Sequence, residues 1–171
     1  MEGLWAVDTN LTAPYGYKGD FTCTYEFFVN TAAGSSIDWI YFVLVDDKWQ
    51  ESVPVNKFFG FTIHRLGDAP EYSVWQGTTP WDFINVDTVP PGLKNNGINE
   101  LTIKKTGDQF SVSMNGEPLG TMTILPGNAV EYWYPAINGT YDYLIPYGIF
   151  FRKLTVKYTK GNEMAAPWAF P

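Results

Sequence analysis

Apolar and polar residues alternate with a period of two through much of the chain, most clearly from Asn99 to Ile124. There Leu101 and Ile103, then Phe110, Val112 and Met114, alternate with Thr102, Lys104, Ser111 and Ser113, as in strands with one buried and one wet face. Thr106-Gly107-Asp108 offers a glycine for positive φ, and Asn115-Gly116 suits the left-handed residues of a type I′ turn, so the stretch predicts a three-stranded meander. After Gly19-Asp20, Phe21, Cys23, Tyr25 and Phe27 alternate with Thr22, Thr24 and Glu26 in the same way. Asp38 to Val45 is aromatic and β-branched on both sides, which predicts a central strand or one whose second face lines a groove. Lys57 to Leu66 and Glu71 to Gln76, joined by Gly67-Asp68-Ala69-Pro70, predict a hairpin in which Phe59, Phe61 and Ile63 oppose Phe58, Gly60, Thr62 and His64.

The segments between these runs read as connections. Residues 1–18 form an opening strand and a loop, Asn30 to Ser36 a polar loop, and Asp46-Asp47-Lys48 a turn that leads into a loop through Pro54. Gly77 to Asn96, with Pro80, Pro90 and Pro91, is too rich in proline for a strand interior and predicts a long surface connection. Pro126 to Thr140 predicts a second irregular excursion, before Tyr141 to Leu144 and a closing strand from Tyr147 to Tyr158, with residues 160–171 as a surface tail. Strands at intervals of roughly 10 to 15 residues with no helix between them predict an antiparallel sandwich or barrel. The length of 171 residues suits a single β-sandwich domain over the whole chain.

From Asn99 to Ile124, the order of Asn, apolar-x-apolar strand, Gly-Asp turn, Phe-x-Val strand and Asn-Gly turn resembles the second half of concanavalin A-like (laminin-G-like) jelly rolls. Gly19-Asp20-Phe21-Thr22-Cys23-Thr24-Tyr25 resembles an early strand of that family, and Tyr147-Gly148-Ile149 through Val156 its closing strand. The resemblance implies an all-β fold of two antiparallel sheets in a jelly-roll sandwich, with carbohydrate bound on a concave face or at its loop rim. Hydrolases built on this roll carry Glu-x-Asp-x-(x)-Glu on one strand, a spacing that puts the carboxylates on one face. The chain has no Glu-x-Asp, and Glu26, Glu71, Glu100 and Glu131 each lack an acidic partner two residues on, which departs from that catalytic pattern. Calcium is the metal such rolls often hold, and Asp46-Asp47, Asp82 with Asp87, or Asp142 would supply its oxygens. None of these has an Asp-x-Asp-x-Asp-Gly spacing, so ordinary turn aspartates, and no cofactor, are expected.

Composition sharpens the picture. Twelve Phe, 11 Tyr and 7 Trp make 18% of the chain aromatic against 17% charged, more rings than packing alone requires, so some are expected on the surface. Eleven basic and 18 acidic residues give a net charge of −7, which disfavours nucleic acid and anionic lipid. Lys104, Lys105, Arg152, Lys153 and Lys157 are scattered strand residues suited to keeping faces and edges wet. No apolar run approaches the roughly 20 residues of a membrane helix, so a soluble chain without membrane insertion is expected. Its Met-Glu-Gly-Leu-Trp start carries no export signal, although a chain cut at its mature end would look the same and be extracellular. Cys23, the single cysteine, excludes an internal disulfide and reads as a small buried hydrophobe. Asn10-Leu11-Thr12 and Asn138-Gly139-Thr140 match the N-glycosylation pattern, which matters only in a eukaryotic secreted chain.

Sugar rings stack apolar C–H faces on Trp and Tyr while their hydroxyls need Asn, Asp, Gln or Arg. Such mixtures occur at Trp39 and Tyr41, at Tyr72, Trp75 and Gln76 running into Trp81, Asp82 and Asn85, and from Tyr132, Trp133 and Tyr134 to Asn138, Tyr141 and Asp142. The first expectation is a lectin or carbohydrate-binding module without catalysis. In it Trp39, Tyr41, Trp75, Trp81 and Trp133 stack, Gln76, Asp82, Asn85 and Asn138 bond hydroxyls, and His64 and Arg65 add polar contacts. Trp81 and Trp133, placed in loops, are expected to be exposed, although aromatics also supply much of any sandwich core. A jelly-roll enzyme, a divergent glycoside hydrolase or lyase or a cyclase with an aromatic pocket, is the alternative, with Glu26 or Asp38 doing acid-base work. A structural module of a surface or virion assembly, its rings buried in an oligomer, is the third. The single histidine excludes a histidine-rich metal site, and no Gly-x-Ser-x-Gly elbow, P-loop or Gly-x-Gly-x-x-Gly is present.

Overall fold

The computed structural model describes residues 2–6, 11–29, 37–47, 57–66, 71–77, 82–86, 88–140 and 149–167. In chain order its strands are β1 (Glu2–Ala6), β2 (Leu11–Thr12), β3 (Tyr15–Tyr17), β4 (Phe21–Val29), β5 (Ile37–Val45), β6 (Phe58–Leu66), β7 (Glu71–Gln76), β8 (Asp82–Val86), β9 (Gly97–Thr106), β10 (Gln109–Met114), β11 (Glu117–Thr123), β12 (Tyr134–Thr140), β13 (Ile149–Tyr158) and β14 (Glu163–Ala165), with a 3₁₀ turn at Pro126–Asn128. Two six-stranded antiparallel sheets result, in the orders β1-β13-β4-β9-β10-β11 and β2-β12-β5-β6-β7-β8, and β14 pairs with β3 beside them.

Alternation decides which side of each strand meets the other sheet. In β4 Phe21, Cys23, Tyr25, Phe27 and Val29 are buried and the residues between them are half-buried. They share one core with Phe42, Leu44, Phe59, Phe61, Ile63 and Val74 of the opposite sheet. Phe59 and Phe110 stack across the sandwich at 4.2 Å, their planes 17° apart, and burying each such ring contributes on the order of 1.5–3 kcal/mol. The fully buried Tyr25 sends its hydroxyl across to donate to the Val43 carbonyl at 3.0 Å, so its polar atom is satisfied inside the core.

The meander is present as β9, β10 and β11, with Gly107, Asn115 and Gly116 at φ of 58°, 51° and 88° in its turns. The Asn115 side chain fixes the second turn: its Oδ1 accepts from the Glu100 N–H at 2.9 Å and its Nδ2 donates to the Gly92 carbonyl at 2.7 Å.

Four expectations about the connections change. Within Gly77 to Asn96 the chain forms β8, which pairs with β7 along five residue pairs. Pro126 to Thr140 is not an irregular excursion throughout, because β12 lies between β2 and β5 and pairs with β5 from Tyr134 to Thr140. Residues 1–18 contain three strands rather than one, and the tail begins with β14, followed by a buried Ala166. The expected strand from Tyr141 to Leu144 lies outside the described residues, as do the loop from Asn30 to Ser36 and the turn Gly67 to Pro70.

Candidate functional site

In the sheet containing β6, one set of alternating residues enters the main core: Ile40, Phe42 and Leu44 of β5, Phe59, Phe61 and Ile63 of β6, and Tyr72 and Val74 of β7. The other set forms the outer face, and strand register aligns it into rows. One row reads Ala136, Val43, Gly60, Trp75 and Phe83 from β12 to β8. The next reads Asn138, Tyr41, Thr62, Ser73 and Asn85. A third holds Thr140, Trp39, His64 and Glu71. An apolar row, a row of hydroxyl and amide positions, and a row of indole, imidazole and carboxylate positions thus run side by side.

The described side chains of this face pack closely. Val43, Val45, Phe58, Trp75, Tyr134, Ala136 and Ala166 form a second apolar cluster, with Tyr41 and Tyr132 packed against it. Trp75 meets Phe58 at 4.0 Å between ring centroids and Tyr41 edge-on at 5.8 Å. Its indole N–H donates to Thr62 Oγ1 at 2.6 Å. With 8% of its surface exposed, Trp75 is a floor rather than a protruding platform, while Tyr41 is half-buried and burial pushes its phenol up to about 12. Gly60 is what lets the strands approach, because a Cβ there would stand 2.6 Å from Val43 Cγ1.

Of the residues expected to bind sugar, Trp39, Tyr41, His64, Trp75, Asn85 and Asn138 fall in these three rows. Trp81 lies outside the described residues. Arg65 and Asp82 do not fall in the rows: Arg65 alternates with His64, in the set that contains Phe59, Phe61 and Ile63, and Asp82 is the register partner of Gln76.

Two expectations are corrected outright. Gln76 is fully buried and occupied by the chain itself, its Nε2 donating to the Thr123 carbonyl at 2.6 Å and its Oε1 accepting from the Leu125 N–H at 3.1 Å and Asn128 Nδ2 at 3.3 Å. It ties the end of β7 to the segment after β11 and has no hydroxyl to bond. Trp133 is fully buried, edge-on to Phe110 at 5.2 Å, because the chain at that point is entering β12 rather than looping through water. Glu26, the acid considered for catalysis, pairs with Arg152 at 3.5 Å and Lys153 at 4.0 Å on the outside of the opposite sheet. Asp38, the other acid considered, lies in β5 between Ile37 and Trp39.

Thr62, Ser73 and Gly60 were not among the expected site residues. A hairpin centred between Gly67 and Asp68 pairs Thr62 with Ser73, so the register carried that signal. Asp46 is half-buried, and burial raises its carboxyl above the ordinary value, while Asp47 beside it is exposed. Among the described residues no group of three or more His, Cys, Asp or Glu is placed to hold a metal.

No protein-family model matches the sequence, and no curated protein matches it. Solved structures do match the fold. The chain is similar to galectin LEC-6 of Caenorhabditis elegans, with a TM-score of 0.60 at 12% identity over 92% of this chain and 95% of that one. It is similar to a toad ovary galectin solved in complex with thio-digalactose, with a TM-score of 0.57 at 10% identity over 90% of this chain and 100% of that one. It is also similar to the CBM2 module of the evolved Dit protein of Lactobacillus casei BL23 phage J-1, with a TM-score of 0.56 at 12% identity over 86% of this chain and 66% of that one.

Proposed function

We propose that this chain, whose fold is the concanavalin A-like jelly roll found in galectins, is a carbohydrate-binding lectin that takes a neutral saccharide on the outer face of β5, β6, β7 and β8. The observation that carries the reading is the alignment of three rows: apolar, then hydroxyl and amide, then Trp39, His64 and Glu71. A pyranose needs an apolar surface for its C–H face and several hydrogen-bonding groups for its hydroxyls, and neighbouring rows, two residues apart along each strand, offer both about 7 Å apart. Tyr41 and Trp75 supply the ring surface at the junction of the first two rows. These rows contain no lysine or arginine position and one carboxylate position, Glu71, so they favour an uncharged sugar over a sulfated or sialylated one. Glycoside hydrolysis takes two carboxylates flanking the bond, and the rows carry one; binding without catalysis is the reading.

The similarity to a galectin complexed with thio-digalactose supports the class of ligand. A glycan array tests it: retention on neutral glycans, without gain from sulfate or sialic acid, is the expected result. Silence across neutral glucans, galactans and host glycans would overturn the proposal.

A further inference from the structure

Where β13 and β12 run along one edge of the sandwich, a cavity of about 310 Å³ lies between the sheets. Two irregularities open it. First, β2 covers β12 only at Leu11 and Thr12, after which the Ala13 N–H donates to the Pro135 carbonyl and the chain stands off until Tyr17 bridges to Trp133. The arch in between is held from outside by β14, with Ala165 opposite Tyr15, Met164 opposite Gly16 and the Ala166 N–H donating to the Pro14 carbonyl at 2.8 Å.

Second, β13 carries an extra residue at Arg152, where the register against β4 shifts between Phe151 and Lys153. The bulge sends Arg152 and Lys153 together to Glu26 on the outside and keeps Phe151, Leu154 and Val156 opposite Phe27, Tyr25 and Cys23. Leu154 and Val156 remain half-buried in that position, and both line the cavity.

The cavity is partly open to solvent. A dry apolar cavity of about 150 Å³ takes benzene, and this one is roughly twice that. Its lining side chains are all uncharged, with hydroxyls only on Thr12 and the three tyrosines at positions 15, 17 and 25. The Tyr25 hydroxyl already donates to Val43. An ion would lose its hydration there without gaining a partner, and a saccharide would leave most of its hydroxyls unpaired.

We propose that this cavity is a second binding site, separate from the saccharide face, for a neutral molecule with an apolar body of about two fused rings, admitted past the exposed Tyr15. The full chain titrated with 2-naphthol, followed by fluorescence and calorimetry, tests it. Saturable one-to-one binding is expected, weakened at least about tenfold in Leu154→Trp and, separately, Val156→Phe, which fill the space while far-ultraviolet circular dichroism stays unchanged. If neither variant folds, methyl NMR of the parent chain decides: shifts concentrated at Ile137, Leu154 and Val156 support the site, and shifts elsewhere overturn it. No saturable binding, or binding that the filled variants retain, overturns it as well.

Discussion

The indole N–H of Trp75 donates to Thr62 Oγ1 at 2.6 Å, although the register partner of Trp75 is Gly60 and that of Thr62 is Ser73. The ring therefore leans from the apolar row toward the hydroxyl row, and both side chains are buried. Trp75→Phe removes the donor, and Thr62→Val removes the acceptor. Each is expected to lower the unfolding free energy by about 1–3 kcal/mol. In urea unfolding the double variant should lose less than the sum, since both changes remove the same bond. Strictly additive losses would show that the bond contributes nothing.

Gly60 sets how closely β5 and β6 approach on this face. An alanine Cβ there would lie 2.6 Å from Val43 Cγ1 and 3.1 Å from the Phe42 carbonyl. Overpacking of this kind costs about 1–3 kcal/mol, so Gly60→Ala should lower the thermal midpoint. Adding Val43→Ala should recover part of the Gly60→Ala loss, because the colliding methyl is gone. A Gly60→Ala chain as stable as its parent would contradict the close approach.

Asp46 gives the fold a pH dependence of unusual sign. Burial, the largest cause, raises its carboxyl above the ordinary value of 3.8, and its Oδ1 is buried without a hydrogen-bond partner. In the pH window between the unfolded and folded values the folded chain holds more protons than the unfolded one, so this group's contribution to stability falls as pH rises through that window. Asp46→Asn should raise the melting temperature at neutral pH and change it less at pH values below the ordinary carboxylate range. Melting curves collected across that range check the sign, and a variant less stable at neutral pH than at acid pH relative to its parent would refute it.

Alternation along a strand is local, so the inward set of Phe59, Phe61 and Ile63 and the meander from Leu101 to Met114 were legible from spacing alone. The strand β12 was not, because Pro135 and Asn138-Gly139 punctuate it as a loop would be punctuated, and only its long-range pairing with β2 and β5 makes it a strand. Trp133 was misplaced for the same reason. Gln76 beside Trp75 reads like a sugar contact, but its partners Thr123 and Leu125 lie 47 and 49 residues further on, beyond any sequence window. The candidate rows show the same division: Thr62 against Ser73 follows from one hairpin, whereas Asn138 against Tyr41 follows from a long-range pairing that no periodicity reports.

The location of the saccharide is most directly tested by an NMR titration of the labelled chain with the neutral glycan it retains most strongly on an array. The prediction is that shifts concentrate on the indole N–H of Trp75 and the backbone amides of Thr62 and Ser73, and that Tyr41→Ala weakens binding at least about tenfold while remaining folded. Shifts centred instead on Thr24 and Thr102, on the outside of the opposite sheet, or an affinity that Tyr41→Ala leaves intact, would contradict it.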